Sequence, residues 1–173
     1  SEIYDNGQGS SSQAYKAFHD MGRSKGMFIP VEQDIEIRIG DDNSVKTELI
    51  VPYKDGYLNR TGDNSIITRM QYGNVTFLFM GDCGLECEKR LAGYDLSADI
   101  LKVGHYSCNN TISDEFLDNV DPETAIVTPD NGESDITLEL VQKLESRGID
   151  VFRTDLNGTI IIESDGSRCS ITP

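Results

Sequence analysis

"VTFLFMGDC" (residues 75–83) and "ILKVGHYSC" (residues 100–108) decide how this chain is built. Each opens as an apolar run of strand length and stops at a glycine followed by a side chain that can bind a proton or a metal: Asp82 after Gly81, His105 after Gly104. A glycine lets the backbone turn sharply at a strand's carboxyl end, so the next side chain projects over the sheet edge, where α/β folds place their sites. A carboxylate and an imidazole leaving neighbouring strands can share one divalent cation, because both are ligands for zinc or manganese. The same residues also have a plain structural reading, with Asp82 capping a helix that starts at Cys83 and His105 satisfied in a turn.

Outward from these two runs the pattern is legible. Upstream, "EIYDN" reads as a short strand and "SSSQAYKAFHDMGRSKG" as a helix, with caps at serines 10 to 12 and Ala14, Tyr15, Phe18 and Met21 as its apolar stripe. His19 lies off that stripe and is expected in solvent. From residue 27 the period changes to two, giving strands at "FIPV", "DIEIRIG" and "VKTELIVP", the last two joined by the turn "GDDNS". "DNSIITRMQYGNVTFLFMGD" is a second hairpin turning at "YGN", whose strand "VTFLFM" is expected to be buried on both faces. Downstream, helices and strands alternate: "CGLECEKRLAG" is a short helix, "ADILKVG" a strand, "SDEFLDNV" a helix capped by Ser113, "TAIVTP" a strand. A helix from Ser134 or Asp135 to Gly148 follows, then closing strands at "DVFRTD", "GTIIIES" and "SRCSITP". The hairpin-rich half (1–81) and the βαβα half with antiparallel closing strands (82–173) predict one domain of layered α/β sandwich type.

Composition narrows the function classes. With 37% hydrophobic and 26% charged residues the chain can bury a core, which argues against disorder. It has no uninterrupted apolar window of the ~18 residues a membrane span needs, and "SEIYDNGQGS" lacks the pattern of a signal peptide. Thirty acidic against 15 basic residues give a net charge of −15, and no basic cluster interrupts it. A nucleic-acid partner is therefore not expected for this segment alone, since polyanions are repelled over its whole surface. The four cysteines, Cys83, Cys87, Cys108 and Cys169, have no zinc-finger spacing. Free buried thiols are the leading expectation, a Cys108–Cys169 disulfide the alternative, and one helical turn between Cys83 and Cys87 rarely supplies disulfide geometry.

Three ordered segments carry a resemblance. Gly81-Asp82-Cys83 at a strand end, "LKVGHYSC" (101–108) and "VFRTDLNGTIIIESDG" (151–166) resemble, at matching spacing, the second half of metallo-β-lactamase-fold hydrolases. The likeness is closest to the C-terminal domain of the ComEC competence family and its stand-alone relatives, whose corresponding motif reads "LKVGHHGS". It covers roughly residues 60 to 166 and extends more loosely over 3–59. It implies a two-sheet αββα sandwich, present here as its C-terminal part, and a metal-dependent hydrolase, phosphodiesterase- or nuclease-like, with its site at one edge between the sheets. Asp82 matches the family's metal-ligand aspartate, and His105 matches the first histidine of its late motif. Such a site activates a bound water for attack on an ester, amide or phosphodiester.

This sequence departs from the pattern in two places. The family's main ligand cluster, a His-x-(His/Asp)-x-Asp-His run expected ahead of "EIYDN", is missing, and Tyr106, Ser107 and Cys108 stand where the late motif has histidine, glycine and serine. Asp82 and His105 are two ligands where a catalytic zinc takes about three. The chain is accordingly expected to be the C-terminal segment of a longer protein, inactive by itself, with zinc or manganese held in the intact parent and no ion bound tightly here. The missing N-terminal part is then its first partner, and an uncovered sheet face invites dimerisation. Two other readings compete: a binding or scaffold module that kept the fold and lost the site, and thiol chemistry from Cys108 with His105 as base.

Overall fold

The computed structural model describes residues 2–104, 112–129 and 135–173. His105, Tyr106, Ser107, Cys108 and the cap at Ser134 lie outside the described residues.

The period-two segments form β1 (Ile3–Asp5), β2 (Phe28–Pro30), β3 (Ile35–Ile39), β4 (Val45–Ile50), β5 (Ile67–Tyr72) and β6 (Val75–Phe79). The alternating half gives β7 (Ile100–Lys102), β8 (Thr124–Val127), β9 (Asp150–Arg153), β10 (Ile161–Ser164) and β11 (Cys169–Thr172). The helices are α1 (Gln13–Ser24), α2 (Leu85–Arg90), α3 (Asp114–Val120), α4 (Asp135–Ser146) and the single turn α5 (Thr154–Asn157). Two serine caps stand where the sequence predicts them: Ser12 accepts from the Tyr15 amide and Ser113 from the Phe116 amide.

Seven strands make the main sheet in the order β3-β4-β5-β6-β7-β8-β9. The first four are an antiparallel meander, and β6 through β9 run parallel. The β9 segment, expected among antiparallel closing strands, instead pairs parallel with β8 at the sheet's edge, because α4 supplies a third crossover. Crossovers of one hand put their helices on one face, and the core shows this: Cys87 and Leu91 of α2, Phe116, Leu117 and Val120 of α3, and Leu140 and Leu144 of α4 cluster with Leu78, Leu101 and Ala125 of the strands. Leu78, Leu101 and Ala125 sit level in register, the width of one side-chain row. Fully burying a leucine such as Leu78 or Leu144 contributes about 1.5–3 kcal/mol.

The opposite face carries the second layer in two pieces. The parallel pair β1-β2 sits over one end, with Val31, Leu49, Val51 and Tyr53 in a smaller core. The antiparallel pair β10-β11 approaches the other, with Ile160 and Ile162 across a cleft from Phe77, Phe79, Ile100 and Ile126. Between these pieces β6 is less covered than predicted: Phe77 is half-buried and Phe79 exposed, while Leu78 on the helix face is fully buried.

The apolar stripe of α1 is exposed at Ala14, Phe18 and Met21 and half-buried only at Tyr15. Phe18 and Met21 are 52% and 60% exposed, and the buried position of the helix is Gly22, whose missing side chain makes room for the Phe28 ring. His19, expected in solvent, is half-buried against Tyr15 and Phe28, with ring centroids 5.5 and 4.9 Å away. The helix therefore rests on β2 through its glycine and histidine side.

Candidate functional site

β6 and β7 are parallel neighbours with Phe79 level with Lys102, so their carboxyl ends leave the sheet at one rim. Gly81 turns the chain there with φ +56°, a conformation glycine adopts without strain. Gly104 is glycine for a different reason, since a Cβ built on it would collide with the Cys83 carbonyl oxygen. The turn after β6 and the end of β7 are thus in backbone contact at Cys83 and Gly104. His105 itself is outside the described residues.

Asp82 does not cap a helix. α2 begins at Leu85 with Gly84 as its N-cap and no side-chain capping bond, and the Asp82 side chain is solvent-exposed at the rim. Its surroundings come from residues expected at the start of the second hairpin, which form instead the 3-10 turn Thr61–Asn64 and Ser65 ahead of β5. Ser65 Oγ accepts from the Asp82 amide at 3.0 Å, and Asp63 Oδ1 accepts from the Gly84 amide at 2.8 Å. Asn64, fully buried, fixes this turn from behind through Leu58, Arg60 and Gln8. The available signal was compositional: Asp, Asn and Ser in a row are the side chains that bond neighbouring backbone.

Lys102 places a cation at this rim. Its ammonium donates to the Val103 carbonyl at 2.7 Å and to Thr128 Oγ1 at 3.0 Å. Burial pulls its pKa below the ordinary lysine value, and the Asp82 carboxylate opposes that shift. The signal in the sequence is a lysine at the end of an apolar run.

The cysteine expectation is corrected. Cys83 and Cys87, both fully buried, form a disulfide with Cα atoms 5.4 Å apart. They are not on one helical turn: Cys83 lies in the loop ahead of α2, free to adopt the geometry that two helical positions rarely reach. Cys169 is a free, exposed thiol, and Cys108, its alternative partner, lies outside the described residues.

Among the described residues no group of three or more His, Cys, Asp or Glu could hold a metal ion. Asp82 fits one coordination position, and a catalytic ion takes about three protein ligands. The described residues on their own therefore do not fit the metal that the resemblance implies, and no chemical step is assigned through it.

Two solved structures share this arrangement of strands and helices. One, from Parabacteroides distasonis and named as a metal-dependent hydrolase, superposes with a TM-score of 0.51 at 16% identity, over 88% of this chain and 63% of its own. The other, a variant of the CmlA β-hydroxylase, gives 0.51 at 14% identity, over 78% of this chain and 34% of its own. The fold is the metallo-β-lactamase fold. Within that fold the sequence is similar to ComEC-type competence proteins. ComE operon protein 3 of Bacillus subtilis is 31% identical over 102 residues, 57% of this chain and 13% of that protein. Competence protein ComA of Neisseria gonorrhoeae is 28% identical over 123 residues, 68% of this chain and 18% of its own length. The matched stretch is thus less than a fifth of either curated relative. No protein-family profile matches the chain.

Proposed function

We propose that this chain is the C-terminal segment of a metal-dependent hydrolase of metallo-β-lactamase fold, inactive by itself, in which Asp82 and His105 supply ligands to zinc or manganese completed by an N-terminal part of the same protein. The observation that supports this reading is the backbone contact between Cys83 and Gly104, which joins the turn bearing Asp82 to the end of β7. An exposed carboxylate that makes no helix cap, beside a lysine, is what a ligand awaiting its partners looks like. The N-terminal part would cover the open face at Phe77 and Phe79. In its absence a second copy of this chain is the natural cover. The net charge of −15 makes a phosphodiester substrate dependent on the metal and on the remainder of the protein for its approach.

Elemental analysis of the full-length parent, with and without Asp82→Asn and His105→Ala, tests the proposal. At least one zinc or manganese per chain in the parent is expected, with either variant losing metal and at least 10-fold of phosphodiesterase turnover. A metal-free parent, or full activity in both variants, ends it. The second outcome would favour a scaffold that kept the fold, which the replacement of the late motif by Tyr106, Ser107 and Cys108 also supports.

A further inference from the structure

We infer that Asp63 and Ser65 are positioning residues that fix the direction of the Asp82 carboxylate, with the Cys83–Cys87 disulfide as the covalent third point of the same mount. The inference rests on the reading of Asp82 as a site residue, and its test uses no metal. Three successive residues of the turn after β6 are tied down independently. The Asp82 amide donates to Ser65 Oγ, and the Ser65 hydroxyl donates in turn to the Gly62 carbonyl at 2.8 Å, which fixes the oxygen that receives Asp82. Cys83 donates its amide to the Met80 carbonyl at 3.0 Å and bonds its sulfur to Cys87 in α2. Gly84 donates to Asp63, a carboxylate only 2% exposed whose second oxygen has the Arg60 guanidinium 3.9 Å away.

Steric limits close the same mount from outside. A Cβ on Gly62 would lie 2.9 Å from Asp82 Cβ, and one on Gly81 would lie 2.8 Å from Ser65 Cβ, so neither wall can thicken without moving the turn. The Asp63 bond is received from Gly84, the N-cap of α2, so the same tie fixes the helix entry and the turn that bears Asp82. A buried carboxylate spent on one backbone amide is tolerable only because it is hydrogen-bonded, and what the whole device presents to solvent is the Asp82 side chain. Groups that must meet a ligand in one geometry are held in this way by neighbours locked in their turn.

NMR on this chain reads the mount directly, through amide exchange at Asp82 and Gly84 and through the Hα–Hβ couplings that report the Asp82 χ1 rotamer. In the wild type both amides are expected to exchange at least ~10-fold slower than in an unstructured peptide, with couplings of one dominant rotamer. Ser65→Ala should free the Asp82 amide and average its couplings. Asp63→Ala should do the same from the Gly84 side, while Asp63→Asn, which keeps an acceptor oxygen, restores both. Cys83→Ser with Cys87→Ser, or reduction by a dithiol, should average the couplings with the rest of the spectrum still dispersed. Averaged couplings in the wild type overturn the inference, as do unchanged couplings in Ser65→Ala, in Asp63→Ala and after loss of the disulfide. Should Asp63→Ala fail to fold, the Ser65 and disulfide arms decide by themselves. A parent that binds no metal leaves all these readouts in place and sinks only the proposed function.

Discussion

Tyr53 shows how much one side chain fastens in a two-piece second layer. It is 6% exposed, and its hydroxyl donates at 2.8 Å to the carbonyl of Val31, which is itself buried under β1-β2. Tyr53→Phe leaves that carbonyl unsatisfied and should lower stability by about 1–2 kcal/mol in urea unfolding. Burial, aided by the charges of Tyr57 and Asp5, raises the phenol well above its ordinary value. The folded state therefore holds this proton after the unfolded state has released it, so the contribution is complete below a pH of about 10 and falls away above it. Wild type should accordingly lose more stability than Tyr53→Phe between roughly pH 9 and pH 11, and equal losses would mean that the phenol is not sequestered. At the rim, Asp82 and Gly104 were legible as residues because a glycine at a strand end is a local signal. Asp63 and Ser65 were not, since their task is set by a turn about 17 to 21 residues away in the chain.

At the scale of elements, the serine caps of α1 and α3 and the strand periods are local and legible, whereas the N-cap of α2 and the burial of α1 are not. Its stripe of Ala14, Tyr15, Phe18 and Met21 points to a core-facing helix, but the Phe28 ring of β2 sits over Gly22 and His19 and meets the stripe only at the edge of Phe18. Ser113 caps α3 and also donates its own amide to Glu88 of α2 at 2.9 Å, so the cap joins two helices. Ser113→Ala should cost about 1 kcal/mol by thermal or urea unfolding, and a neutral result would show that the α2 contact alone holds the end. For the loop ahead of α2, closing five residues by the Cys83–Cys87 bond removes unfolded-state freedom worth about 2 kcal/mol. Cys83→Ser with Cys87→Ser should lower the unfolding free energy by about that amount in urea unfolding, read as a lower midpoint. Because both sulfurs are fully buried, mild reductant should act only as fast as the loop opens.

Across the whole molecule, one sheet face is sealed by three helices and the other is shared between two short sheets, with Phe79 39% exposed in the gap. The net charge of −15 repels itself in the folded state, so added salt should raise the melting temperature between about 10 and 500 mM. A fall would mean that specific ion pairs, such as Arg69 with Glu48 at 2.9 Å, outweigh the general repulsion. Salt should also favour association through the open face. Sedimentation velocity is expected to show a dimer population rising with salt and lost in Phe79→Asp, and a concentration-independent monomer would remove the case for a second copy as cover.

Local patterns in the sequence carried the main strands and helices, their order, the serine caps of α1 and α3, and the strand ends before Gly81 and Gly104, but not the short turns at Thr61–Asn64 and Thr154–Asn157. The legible ones rest on periodicities and turn chemistry confined to a few neighbouring residues. The sequence also carried the fold, because three ordered motifs report long-range arrangement through resemblance. Only the tertiary structure decided that Cys83 bonds Cys87, that α1 packs by its glycine, that β9 joins the sheet in parallel, and that a serine and an aspartate from a distant turn grip the Asp82 loop. Each is a contact between segments whose approach is set by the core, and the energy of such a contact depends on a meeting in space that no local pattern encodes.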